Sequence, residues 1–334
     1  MNLGELKDKI LSVNEQEVKL YFVTRALKPG MSKSNKARDK YLFVVYQIDC
    51  NKEIREYLHS ATCSQIDKTV KKNFDMIEYD ILTDDTEHLF TYPIKNKVFS
   101  FSDVVTNQLQ KIPQKVNSIA ELVSREEELW AYCVEFTCDN SEDKIFTFRK
   151  ILPSKVGVDE KAKGWFRAKF DTQSKQLSLL KEETVNLDEQ IDCVFYDDTF
   201  YVLKKVYFEQ IIGLQEEFKE KAKEIAAEMI NSGSFIGGDK LNELIEKKPS
   251  IHKKLIKVGK LGGYKNITAQ SIKSMKKICT KYGDTLPISG DKLSIDTEEQ
   301  LDVILKALGD YYKIGEISGK AYGTFAGKEL QKAN

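Results

Sequence analysis

The chain has 334 residues, and its 52 lysines and arginines are balanced by 52 aspartates and glutamates, so the net charge is zero. With 41% hydrophobic and 31% charged residues, the composition is that of a globular protein and excludes a disordered or fibrous chain. The longest apolar runs, such as 42–48, fall short of the roughly 20 residues of a membrane-spanning helix. The first residues lack the apolar stretch of a secretory signal, so we expect a cytoplasmic protein with reduced cysteines.

The first two hundred residues have mainly the pattern of β-strands. Runs rich in apolar and β-branched residues predict strands at 17–24, 41–49, 76–82, 129–138, 144–152, 164–171, 192–196 and 200–204. Segments 97–112 and 117–130 are predicted as short helices packed on the sheet, and at Val206 the pattern changes from strand to helix. We therefore predict an α+β fold, with a β-rich N-terminal domain at 1–204 and a mainly helical, lysine-rich C-terminal domain at 205–334.

The second domain opens with a wide apolar stripe. Residues 206–231 carry apolar side chains at spacings of three and four, which predicts one amphipathic helix. Gly233, Gly237 and Gly238 follow and predict its end. A stripe of this width suits an ordinary core-facing helix and would also suit a dimer seam. The sequence leaves both alternatives open and favours the core.

Positive charge is concentrated between Lys247 and Lys281, where the chain carries eleven lysines and no acidic residue. We call this stretch the lysine-rich segment. Helices are predicted at 239–248, 250–258 and 268–282, with Thr268 as the N-cap of the third.

The third of these helices separates apolar from cationic side chains. At roughly 100° per residue, its apolar side chains fall within an arc of about 120° and its lysines within an arc of about 140° on the other side. The apolar residues are Ile272, Met275, Ile278, Cys279 and Tyr282, and the lysines are Lys273, Lys276, Lys277 and Lys281. Lysines four residues apart repel each other, and the phosphates of a ligand would relieve that repulsion.

Three interpretations of the lysine-rich segment stay open: a solvated face, a nucleic-acid interface, and a docking surface for an acidic protein or anionic lipid. The nucleic-acid interpretation assigns backbone contacts to Lys253, Lys254, Lys257, Lys260, Lys265, Lys273, Lys276, Lys277 and Lys281. A basic loop adds a second candidate contact through Lys33, Lys36, Arg38 and Lys40. Lysine is a point charge suited to phosphate, so these contacts would be sensitive to salt and independent of base sequence.

The sequence shows no catalytic signature. Its three histidines form no HxxxH or HExxH pair and no CxxC occurs, so a zinc site is not expected. The C-terminal GTFAGKEL is one residue short of a phosphate-binding loop and lacks the Ser or Thr after its lysine. We therefore assign no catalytic residue, no metal ligand and no cofactor. A metal-dependent nuclease with dispersed acidic residues stays open as an alternative.

A family resemblance enters at residues 191–225, which read IDCVFYDDTFYVLKKVYFEQIIGLQEEFKEKAKEI. The aspartate-bearing strand, the turn, the YVLKK strand and the Phe-led helix resemble the KwaB-like proteins of the bacterial Kiwa anti-phage system. This resemblance implies a cytoplasmic DNA-binding effector that works beside a membrane-embedded, KwaA-like partner, through which it is recruited to the inner membrane. Whether the chain forms a homodimer or a higher oligomer is left open.

Overall fold

The structure is a computed structural model, and it describes residues 2–32, 41–81, 83, 88–95, 101–111, 113–116, 118–122, 127–138, 143–152, 156–157, 161–162, 165–166, 168–173, 175–180, 182–315 and 317–325. The chain divides into two compact units. The first comprises Met1–Tyr79 with Glu87–Gly213, and the second comprises Asp80–Thr86 with Leu214–Asn334. The domain boundary after residue 204 stays a prediction.

Strands predominate in the first unit. In chain order its described strands are β1 (Val18–Leu27), β2 (Tyr41–Ile48), β3 (Asp75–Glu78), β4 (His88–Pro93), β5 (Gln114–Lys115), β6 (Glu127–Thr137), β7 (Lys144–Lys150), β8 (Val156–Gly157), β9 (Lys161–Ala162), β10 (Trp165–Phe166), β11 (Ala168–Asp171), β12 (Gln176–Leu179), β13 (Thr184–Val185), β14 (Cys193–Tyr196) and β15 (Thr199–Val202). The second unit adds the short strands β16 (Phe235–Ile236), β17 (Ile288–Ser289), β18 (Lys292–Ser294), β19 (Tyr312–Ile314) and β20 (Ala321–Gly323).

Helices predominate in the second unit. The described α-helices of the first unit are α1 (Leu3–Ser12), α2 (Lys52–Val70) and α3 (Lys205–Ile211). Those of the second unit are α4 (Leu214–Asn231), α5 (Gly238–Lys247), α6 (Pro249–Leu261), α7 (Ala269–Lys281) and α8 (Glu298–Leu308). Short 3-10 turns lie at Glu15–Glu17 and Ile119–Leu122, and a π-helical turn lies at Val104–Gln108. A strand-rich first unit followed by a helical second unit confirms the predicted α+β fold.

The first unit is built on a nine-stranded sheet with the order β3-β4-β15-β14-β7-β6-β1-β2-β5. The edge pairs β3–β4 and β2–β5 are parallel, and the pairs between them are antiparallel. Strand β7 lies near the middle, and six consecutive residues of it are buried. Both of its faces are covered, so its sequence shows less alternation than a strand with one face in water.

One face of the sheet packs on α1 and α2. Leu6 and Ile10 of α1 and Ile66 of α2 share a buried core with Val134 and Phe136 of β6. Successive residues of a strand point to opposite faces, so Cys133 lies on the other side of the sheet.

On that other side, aromatic rings link the sheet to α3. The ring of Phe200 lies 5.9 Å from that of Phe148 and 5.5 Å from that of Phe208, measured between centroids. All three side chains are completely buried. The two covered faces explain how a single wide sheet can supply the core of the first unit.

The second unit packs its helices around a separate core. Residues from α4 to α8 meet there with the small three-stranded sheet β16-β18-β17, and Ala226, Leu241, Leu255, Cys279 and Ile304 are buried in it. The apolar stripe of α4 therefore faces the core of its own unit, which is the alternative that the sequence favoured.

The predicted helix 206–231 is in fact two helices, and that prediction was wrong in this respect. Helix α3 ends at Ile211 and α4 starts at Leu214, with Gly213 between them at φ +80°. This left-handed conformation is readily adopted by glycine and is incompatible with a continuous α-helix. Phe208 and Ile211 consequently pack in the first unit, whereas Phe218 and Ala226 belong to the second.

Other helix predictions also need correction. Residues 117–130 were predicted as a helix, but Ile119–Leu122 form a 3-10 turn and 127–130 belong to β6. Of the predicted helix 97–112, the structure describes residues 101–111, and these form the π-helical turn at Val104–Gln108 with flanking helical and turn residues. Helix α2 was missed because Thr62 and Thr69 complete its buried stripe, and hydropathy alone does not count threonine as apolar.

A buried ionic cluster ties β7 to the segment before β14. The carboxylate of Asp192 accepts hydrogen bonds from Arg149 Nη1 and from the Lys150 N–H, each at 2.7 Å. Arg149 also donates twice to Asp188, at 2.9 Å each. Burial raises the pKa of Asp192 to about 6, while the Lys150 N–H and the Arg149 guanidinium act in the opposite direction. The Asp192 carbonyl further accepts from the Leu203 and Lys204 amides, so the cluster also reaches the start of α3.

We expect Asp192→Ala to lower the free energy of unfolding by about 3 kcal/mol, because it leaves a buried guanidinium short of one partner. Urea denaturation followed by circular dichroism measures the change. Lys71→Ala is the control: Lys71 pairs with Asp67 at the surface, at 2.5 Å, and its loss should change stability little. Equal effects of the two substitutions would contradict a structural role for the buried cluster.

Candidate nucleic-acid interface

Helix α7 is fixed at its start by its own sequence. Thr268 Oγ1 accepts the Ser271 N–H at 3.1 Å, and Ser271 Oγ accepts the Thr268 N–H at 3.3 Å. This reciprocal capping satisfies amides that the first helical turn leaves unpaired. The predicted N-cap at Thr268 is confirmed.

One side of α7 packs into the second unit. Met275 and Cys279 are buried, and Ile272 and Tyr282 are partly buried. Ile278 was predicted to share this apolar side, but it is 44% exposed, so the buried arc is narrower than expected. At 100° per residue, Ile278 lies at the rim of the apolar arc next to Lys281, which is the sequence signal that could have indicated its exposure.

The opposite side of α7 carries Lys273, Lys276, Lys277 and Lys281, and we call these four residues the lysine face. All four are exposed, and together with Thr280 they line a shallow, open depression. Within the described part of the chain, none of the four forms an ion pair with a carboxylate. Lys281 Nζ lies 5.5 Å from the ring centroid of the neighbouring Tyr282. From Lys273 to Lys281 the face extends over about 12 Å of helix axis.

Three other predicted lysines are engaged by carboxylates from distant parts of the sequence. Asp302 of α8 lies 2.5 Å from Lys254, Asp80 lies 2.6 Å from Lys260, and Glu228 of α4 lies 3.3 Å from Lys265. Each pair cancels a positive charge that the sequence alone presents as unopposed. The fold therefore divides the lysine-rich segment into paired cations and the lysine face.

The two remaining lysines of α6 are partly or fully withdrawn from solvent. Lys257 is only 7% exposed, its Nζ donates to the Phe325 carbonyl, and burial lowers its pKa. Lys253 is half-buried, with its Nζ 5.6 Å from the ring centroid of Phe218. We therefore leave Lys257 out of the interface proposed below. The predicted second contact, at Lys33, Lys36, Arg38 and Lys40, lies outside the described residues.

The lysine face is electrostatically unfavourable by itself. Lys273 and Lys277, and again Lys277 and Lys281, stand four residues apart, where like charges cost a few tenths of a kcal/mol per pair. Solvated helices usually mix signs on their polar side, as Glu217 and Lys221 do on α4 at 2.6 Å. An anionic ligand would remove the repulsion on α7.

With this geometry established, comparison with known proteins identifies the family. The family model described as Kiwa protein KwaB-like matches residues 126–318, which is more than half of the chain. The chain belongs to the KwaB-like family of Kiwa proteins. The match includes 191–225, so the resemblance seen in the sequence is confirmed, and it also includes α7. Membership places the chain in the Kiwa anti-phage defence system, which implies partner proteins.

No curated protein and no solved structure gives a significant match to this chain. Among the described residues, no helix combines the length and the apolar character needed to cross a lipid bilayer. Nor do these residues contain a cluster of three or more His, Cys, Asp or Glu side chains placed to hold a metal ion.

Replacing Lys277 by glutamate should stabilise the second unit at low ionic strength. The change turns two repulsions, from Lys273 and Lys281, into two attractions, so we expect the free energy of unfolding to rise by about 1 kcal/mol. Urea denaturation measures the gain, which should shrink in about 1 M salt, where the Debye length is only about 3 Å. The control is Lys221→Glu, which breaks the pair with Glu217 and should lower stability. A K277E protein no more stable than the wild type would contradict the repulsion on α7.

Proposed function

We propose that this KwaB-like chain binds DNA for the Kiwa system, with the lysine face of α7 as the surface that contacts the phosphate backbone. The observation that carries the proposal is the contrast within one segment. Lys254, Lys260 and Lys265 each pair with a carboxylate, whereas the four lysines of α7 are exposed and have no acidic partner among the described residues. A cluster of unopposed cations on one helix side is the electrostatic footprint of a polyanion site.

The dimensions of the face suit a duplex. DNA carries one negative charge per about 1.7 Å of its axis, so the about 12 Å between Lys273 and Lys281 corresponds to about seven phosphates. Four lysines can neutralise several of these at once. The face carries lysines and no arginine, so its contacts are point charges on the backbone and do not read the bases.

Within the Kiwa system, we infer that the chain acts in the cytoplasm as a DNA-binding effector and that a membrane-embedded, KwaA-like partner recruits it to the inner membrane. Membership in the family supports a role among partner proteins, and the lysine face supports the DNA contact. Self-association into a homodimer or a higher oligomer, and a second DNA contact by the basic loop at 33–40, stay predictions.

The test is fluorescence anisotropy of a short labelled duplex across a salt series. If all four lysines neutralise a phosphate, the affinity of the wild type should fall by about 150-fold between 50 and 200 mM salt. The variant Lys273→Gln/Lys276→Gln/Lys277→Gln should bind far more weakly and with a shallower salt slope, because three of the four contacts are gone.

A matched control removes the same net charge elsewhere in the second unit. Lys221, Lys240 and Lys247 are partly or fully exposed, and each pairs with a glutamate within 3.0 Å. Changing these three to glutamine should leave DNA affinity nearly unchanged. Equal losses in the two triple variants would show that only net charge matters, and that result would contradict the assignment to α7.

One observation favours a second candidate, an anionic membrane surface. Ile278 is 44% exposed beside Lys281, and an apolar side chain next to cations is typical of helices that lie on lipid. Flotation with vesicles that contain anionic lipid, in the absence of DNA, separates the two candidates. Flotation that the α7 triple variant loses, together with no duplex binding by the wild type, would favour the lipid surface.

A further inference from the structure

Helix α7 is far more exposed than the helices on either side of it in the chain. Nine of its 13 residues, all of them described, are exposed, compared with four of 13 on α6 and one of 11 on α8. The nine are Ala269, Gln270, Lys273, Ser274, Lys276, Lys277, Ile278, Thr280 and Lys281. The buried residues of α7 are Met275 and Cys279. A helix attached along so narrow a strip leaves most of its circumference available to a ligand.

The exposed side of α7 is wide enough to contact both walls of a groove. At 100° per residue the nine residues cover about 200° of the circumference, from Lys276 round to Ile278, with Lys277 near the middle. A duplex that rests on its phosphates alone would need a single line of cations. The diameter of an α-helix, about 10–12 Å, matches the roughly 12 Å width of the major groove of DNA. The shape therefore favours insertion of the helix over contact along one line.

The lysines are spread around this exposed side as a groove requires. Lys276 and Lys281 lie about 140° apart around the helix axis, and Lys273 and Lys277 lie between them. The walls of the major groove are the phosphate backbones of the two strands, so cations at both margins of the helix can contact both strands. On a flat contact, one of the two margins would stay in water.

The first turn of α7 carries no charge, because residues 269–272 read AQSI and the lysines begin at Lys273. Gln270 is exposed in this turn, and within the described part of the chain its side chain forms no hydrogen bond. Around the axis it lies between Lys277 and Lys281. Helices that enter the major groove contact base edges with their N-terminal residues. A glutamine amide can accept from N6 of adenine and donate to its N7.

We propose that α7 inserts into the major groove of the bound duplex, with its lysines on the phosphates of both strands and the amide of Gln270 on the edge of an adenine. This mode rests on the proposed DNA binding and adds a base preference to lysine contacts that by themselves carry none. The lysines supply most of the affinity, because they neutralise phosphates in any sequence. Gln270 then discriminates between sequences.

The first test compares, by fluorescence anisotropy, two duplexes of alternating A·T pairs, in which every register offers an adenine. In the second duplex all adenines are 7-deazaadenine, which pairs normally but lacks the N7 acceptor. We expect the wild type to bind the second duplex about tenfold more weakly, because a bidentate contact is lost. Gln270→Ala should bind the two equally and keep the salt slope of the wild type, since its four lysines remain.

The matched control is Gln215→Ala, which removes another exposed glutamine of the second unit, on α4, and should keep the tenfold difference. A second test fills the major groove. One duplex carries glucosylated 5-hydroxymethylcytosine, and its counterpart carries 5-methylcytosine at the same positions. Groups at C5 of a pyrimidine lie in the major groove, so the wild type should bind the glucosylated duplex far more weakly.

The outcomes separate this inference from the function on which it rests. Equal binding of the wild type to the glucosylated and the methylated duplex would overturn the insertion and leave DNA binding intact. A wild type that does not distinguish 7-deazaadenine from adenine, or a Gln270→Ala protein that still does, would overturn the contact with adenine. No binding by the wild type to any duplex would overturn both the insertion and the proposed function.

Discussion

Carboxylates that are far from the lysine-rich segment in sequence reach it in the fold and neutralise part of it. Asp302 is 48 residues from Lys254 and Asp80 is 180 residues from Lys260, yet both pairs lie within hydrogen-bonding distance. A cation in a compact unit is most stable where an acid can approach it, and Lys254, Lys260 and Lys265 each have such a partner. Among the described residues, the lysines of the lysine face have no such acidic partner, and the proposed function depends on their unpaired positive charge.

Repulsion among the four lysines of the lysine face destabilises α7, and interactions in the rest of the second unit compensate for it. Thr268 caps α7, and Met275 and Cys279 bury its other side, so the helix forms despite repulsion among its lysines. A few tenths of a kcal/mol per pair is small beside the burial of such side chains. Sequences optimised for stability alone would place acids here. Retaining lysines at four-residue spacing is the expected compromise where a phosphate backbone provides the missing counter-charge.

A feature of the fold or of the candidate site could be predicted from the sequence when the interaction that determines it joins residues that are close in the chain. The cap at Thr268 and the cationic side of α7 follow from neighbouring residues, and the sequence predicted both. The burial of Lys257 and the pairing of Lys254 and Lys260 depend on chain segments that meet only in the fold, so no local pattern reveals them. The break between α3 and α4 at Gly213 was missed for a different reason. The helical spacing of apolar residues continues on both sides of Gly213, and only the positive φ of this residue interrupts the helix.

The central claim is that DNA contacts the lysine face and not the paired lysines of the same unit. Lysine footprinting tests it most directly: the protein is acetylated with and without a saturating duplex, and the modification of each lysine is quantified by mass spectrometry. The account predicts strong protection of Lys273, Lys276, Lys277 and Lys281, with Lys221 and Lys247 unchanged. Unprotected lysines on α7, or equal protection across all these lysines, would contradict it.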